Sequence, residues 1–169
     1  MSPRARDIGR ARFYAAERMI MNMFDRVGSS RTVEIAGTQL TLPIEAIFGS
    51  VDSVRDHIER VLAMPAVRQR FPGAAHPVSV RARKGYRSAE YRPAGVVGPV
   101  AEIAIPVSAE GRWALRELTV LHELSHHFDQ SHGAPHGSAF IAILTELVGV
   151  VLGPEAAFVY RVILADSGV

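Results

Sequence analysis

The chain of 169 residues contains no cysteine. That excludes a disulfide framework, a cysteine-based zinc ribbon and a thiol nucleophile. It is compatible with a reducing cytoplasm without requiring one. Long apolar runs are also missing. The greasiest stretch, Ala139–Leu152 (AFIAILTELVGVVL), is shorter than a bilayer-spanning helix and carries Glu146, so a buried helix is expected there. The N-terminus, MSPRARDIGRARFYAAERM, is basic but lacks the apolar core of a secretion signal, so a cytoplasmic location is expected. Charge imbalance is small: the net charge is +2, with a pI of 9.4. No repeat, low-complexity tract or interdomain linker breaks the sequence, and its length suits a single domain over residues 1–169.

What is present reads as globular: 48 % hydrophobic and 21 % charged residues, enough to bury a core without staples. Apolar positions at three and four spacing predict a helix over 4–26 and another over Val51–Met64 capped by Ser50. RTVEIAGTQLTLP predicts a hairpin around Gly37. PAVRQRFPGAAHP reads as a loop or frayed turn. Val78, Val80 and Ala82 alternate with Ser79, Arg81 and Arg83, and Lys84-Gly85 could turn that strand into a second one, Tyr86–Arg92. Ala101–Pro106 (AEIAIP) predicts a short strand with Ile103 and Ile105 inward. The helix bearing His122 and His126 is expected to start near Glu110–Arg112, with Trp113, Leu115, Leu118, Leu121, Leu124 and Phe128 toward the core. A last helix fits Pro154–Ala165, with Pro154 in its first turn. The expected fold class is α+β, helices packed on a small, mostly antiparallel sheet.

Five of the seven histidines fall in TVLHELSHHFDQSHGAPHGSAF, Thr119–Phe140. His122 and His126 are four apart, so on a helix both imidazoles face the same way, one turn apart. Glu123 flanks that face, within reach of water on an ion held by the pair. HExxH on a helix thus offers two zinc ligands and a general base. A catalytic zinc takes three protein ligands and keeps a fourth position for water. Three residues could supply the third. His132 lies six after His126, the HExxHxxGxxH spacing, but Asp129 stands where that pattern has its glycine, and no methionine follows to make a Met-turn. His136 lies ten after His126, beyond Gly133-Ala134-Pro135. Glu146 lies twenty after His126, and as a lone charge in an apolar helix it could be a ligand, an acceptor for a ligand histidine's free N–H, or a partner of Arg161. His127 points about 100° away from His126 and is expected to support the site or face solvent. His57, on the exposed side of its helix, and His76, in a loop, read as ordinary.

LHELSHHF…APHGSAF resembles the SprT-like zinc metallopeptidases, whose pattern is HExxH, a short variable loop, then HGxxF or HGxxW. His122, Glu123, His126, His136, Gly137 and Phe140 match. The chain also looks like a group of small bacterial metallohydrolases. The resemblance implies a zincin-like fold with HExxH on a central helix, and His122, His126 and His136 as ligands to Zn²⁺. It further implies that Gly137 allows a close backbone approach and that Phe140 packs beneath the site. The C-terminal cysteine ribbon of many relatives is absent. The activity implied is amide hydrolysis of a peptide or protein by metal-activated water, with Glu123 as base. Tyr86, Tyr91, Tyr160 and Arg161 are candidate donors to the oxyanion. By analogy with zinc peptidases, AEIAIP would be an edge strand that pairs with extended substrate. Two other functions remain open at this point. Arg81, Arg83, Lys84, Arg87 and Arg92 could contact nucleic acid, as in a nuclease or DNA-associated protease. A non-catalytic module would use His132 and His136 together, leaving no place for water.

Overall fold

Apolar periodicity and caps set most of the element boundaries. The computed structural model describes residues 3–26, 30–85, 88–107 and 114–169, with side chains from Gly9 onward. Among these the fold is α+β, with six α-helices, a two-stranded sheet and a three-stranded sheet. Two compact units are defined by internal packing: residues 1–44 with 131–169, and residues 45–130.

The first unit holds α1 (Pro3–Arg26), β1 (Thr32–Ile35), β2 (Thr38–Thr41), α5 (Ser138–Val151) and α6 (Pro154–Asp166). Phe13, Ala16 and Ile20 form the buried stripe of α1 at three and four spacing, while Met19 is exposed. β1 and β2 are the expected antiparallel hairpin, paired from Thr32↔Thr41 to Ile35↔Thr38. Its turn puts Ala36 and Gly37 at φ 49° and 74°, a left-handed pair that glycine eases. α5 is buried only along Phe140, Leu144, Leu147 and Val148. Glu146 sits on the opposite side and is exposed rather than buried with the helix. α6 begins at Pro154 as read from the sequence, and packs on α1 and α5.

The second unit holds α2 (Val51–Ala63), α3 (Pro65–Arg70), a 3-10 turn (Pro72–Ala75), β3 (Val78–Arg83), β4 (Glu90–Arg92), β5 (Ala101–Pro106) and α4 (Glu117–Phe128). The Ser50 side chain accepts from the Ser53 N–H at 3.1 Å, capping α2 as its sequence implies. The stretch expected to be loop is instead α3 and the 3-10 turn, each opened by a proline in its first turn.

The sheet order is β3-β5-β4. β3 and β4 are therefore not hairpin partners: β5 lies between them, parallel to β3 and antiparallel to β4. Tyr86 and Arg87 lie outside the described residues, and pairing in the second strand is confined to Glu90–Arg92. AEIAIP is the central strand rather than an edge. Ile103, Ala104 and Ile105 are fully buried, as expected for a strand covered on both faces. Among the described residues no helix is long and apolar enough to cross a membrane.

Candidate metal centre

α4 carries the HExxH segment, and its position is set from outside its own sequence. The helix starts at Glu117, later than the apolar pattern suggests, while Glu110–Trp113 lie outside the described residues. Its N-cap is Arg116, whose side chain makes no cap bond. The orphan N–H groups of the first turn are met by a distant segment instead. Leu118 N–H donates to Glu45 Oε1 at 2.9 Å, and Glu117 N–H donates to the Ala46 carbonyl at 2.9 Å. Glu117 returns a bond, accepting from Ala46 N–H at 2.9 Å. Arg116 grips the Glu45 carboxylate with two nitrogens, Nε at 2.8 Å, both side chains being buried. His57 is buried too, not on an open helix face, with Nε2 3.1 Å from Glu117 Oε1. Two carboxylates thus sit at the positive end of the helix that bears the histidines.

His122 and His126 face each other at 5.0 Å between ring centroids. His122 is buried, as are Glu123 and the surrounding Leu118, Leu121 and Leu124. Burial, then the neighbouring His122, holds His126 down to about pKa 4, with Asp129 pulling weakly the other way. His126 is therefore neutral at pH 7, with a lone pair free of proton competition, as a metal ligand requires.

Next to it, the His127 Nε2 lies 3.1 Å from the Gly73 carbonyl and 3.3 Å from that of His76. Its Nδ1 lies 3.2 Å from the Tyr91 hydroxyl. Burial lowers the His127 pKa, against the pull of those two carbonyls. The 3-10 turn presses close enough here that a Cβ on Gly73 would stand 3.2 Å from both the His127 carbonyl oxygen and the Phe128 ring. Phe71 stacks on Phe128 at 4.9 Å.

His136, half-buried just before α5, is enclosed by aromatic rings. Phe13 stacks on it at 4.7 Å, Tyr14 meets it edge-on at 5.1 Å and Phe140 edge-on at 5.0 Å. Gly137 lies so close to Ala134 that an added Cβ would sit 3.2 Å from its carbonyl oxygen. Ligand nitrogens of His122, His126 and His136 lie within 4.8 Å of one another, a grouping that could hold a metal ion. His132 is exposed at φ 54° and Glu146 is exposed; neither belongs to this grouping.

The arginine cluster of β3 and β4 is largely paired: Arg81 with Glu102 at 2.8 Å, and Arg83 and Arg92 with Glu90 at 3.2 and 3.0 Å. Arg92 in turn holds the Glu90 carboxyl below its ordinary pKa. Of the candidate oxyanion donors, Tyr160 is buried within α6, Arg161 is exposed, and Tyr86 lies outside the described residues. The Tyr91 hydroxyl faces His127. Phe13 and Tyr14 meet His136 although nothing in their local sequence marks them, and Tyr91, read from the sequence only as a candidate oxyanion donor, lies beside His126 and His127. Comparison with protein-family models, curated proteins and solved structures yields no match.

Proposed function

We propose that the chain is a zinc-dependent metallohydrolase of zincin-like type, and that its reaction is amide hydrolysis of a peptide or protein. The observation that carries this reading is the meeting of three neutral-capable imidazoles, His122, His126 and His136, with Glu123 next to the first. Three nitrogen donors leave one corner of a tetrahedral ion free, the arrangement of catalytic rather than structural zinc. The exposed position of His132, outside the grouping, supports that open corner. Zinc bound there would supply Lewis acidity, acidifying water and polarising a carbonyl.

The rest falls to the chain itself. Glu123, buried and flanking the histidine face, would accept the proton of the attacking water and return it to the leaving amine. Buried apolar neighbours on α4 limit bulk water and strengthen those electrostatics. The ion pairing of Arg81, Arg83 and Arg92 lowers the free positive charge offered to a polyanion, which favours a peptide over nucleic acid. The sheet edge that would receive extended substrate is then β4, whose Tyr91 ring lies against His126, rather than the central β5.

The test is Glu123→Gln. The variant should bind zinc as the parent does and lose at least about a hundredfold in hydrolysis of a peptide library, the scale of general-base catalysis. Full activity in that variant would overturn the base assignment.

A further inference from the structure

The sequence places two histidines side by side, and only one of them belongs to the metal grouping. The geometry around the other gives it a different task. Both partners of His127 Nε2 are backbone carbonyls, of Gly73 and His76, and carbonyls only accept. Nε2 must therefore carry the proton. Nδ1 of the neutral ring is left as a bare acceptor, so the Tyr91 hydroxyl, 3.2 Å away, donates to it. A chain of polarity runs from β4 through His127 to the 3-10 turn, and it fixes where the Tyr91 ring lies.

That ring is aimed at the metal helix. In β4, Tyr91 pairs with Ile103 of β5, while its neighbours Glu90 and Arg92 point to the other face and bond to each other. Tyr91 lies nearly parallel to the His126 imidazole, at 15° and 6.4 Å between centroids, and edge-on to His127 at 5.7 Å. The hydroxyl is anchored at one end and the ring flanks a ligand histidine at the other.

We propose that Tyr91 is a positioning residue for the metal site: anchored by its bond to His127, its ring sets the plane of the His126 imidazole. The inference rests on His126 being a ligand. It adds that the second histidine of HExxHH is a tether rather than a ligand. Outer partners of ligand histidines commonly govern affinity by 10–100-fold, and Tyr91 acts here through ring contact instead of a direct hydrogen bond.

Two readouts separate this idea from the metal assignment. In the metal-free protein, long-range ¹H–¹⁵N NMR should show His127 as the Nε2–H tautomer. Tyr91→Phe and His127→Ala should each release the anchor. An Nδ1–H tautomer would overturn the proposal whether or not metal binds. In the cobalt-loaded protein, Tyr91→Phe, Tyr91→Ala and His127→Ala should alter the visible ligand-field bands. Zinc affinity, by competition with a chromophoric chelator, should fall about 10-fold or more for Tyr91→Ala and less for Tyr91→Phe. Tyr91→Phe combined with His127→Ala should lose no more than the worse single variant, since both cut one linkage. Unchanged bands and affinity in folded variants would overturn the proposal while leaving the zinc site standing. A wild-type chain that binds no metal would overturn both.

Discussion

At the scale of single residues, His126 is strongly altered by its surroundings. Free in an unfolded chain it takes a proton near pH 6.5, but folded it does so only near pH 4. Between those values the unfolded chain holds the additional proton, so stability rises with pH through that window and levels off above it. The depressed His127 adds in the same direction. Metal-free protein should accordingly need less urea to unfold at pH 5 than at pH 7.5. His126→Gln should show a smaller difference between the two pH values. An equal difference in both proteins would mean that the burial of His126 has no thermodynamic consequence. Much of this site is visible in one dimension: His122, Glu123, His126 and His136 share a fifteen-residue window, and helix geometry alone pairs the first with the third. Tyr91 and Phe13 could not be read that way, because aromatic residues far away in sequence carry no spacing that ties them to a histidine.

Elements are governed by their ends. α2 and α6 start where Ser50 and Pro154 say they should, since those signals act within one turn. α4 starts where no local signal lies, because Glu45 and Ala46, about seventy residues earlier, satisfy its first N–H groups. The strand order was hidden for a related reason. Lys84-Gly85 has the chemistry of a hairpin turn, but the buried surface of AEIAIP on both faces places β5 in the middle of the sheet. The capping cluster should therefore be costly to break. Arg116→Met leaves the buried Glu45 carboxylate without its cation, which should destabilise by about 3–5 kcal/mol in denaturant melts. A loss under about 1 kcal/mol would show the pair to be dispensable, with the bond from Leu118 N–H sufficient for Glu45.

At the scale of the whole molecule, the proposed zinc site would link metal binding to folding. Any ion that binds the folded chain and not the unfolded one stabilises it by mass action, about 2.7 kcal/mol at a free concentration a hundred times Kd. For a chain of this length that corresponds to roughly 5–11 °C in melting temperature. A calorimetric scan with and without zinc should show the rise, and His136→Ala should abolish it. The central claim is that three imidazoles grip one divalent ion, and X-ray absorption spectroscopy at the zinc edge on stoichiometrically loaded protein measures this directly. The account predicts one ion per chain with three imidazole nitrogens near 2.0 Å and an oxygen as fourth neighbour, a set lost in His136→Ala and unchanged in His132→Ala. A chain that takes up no zinc, or one whose coordination survives His136→Ala intact, would contradict it.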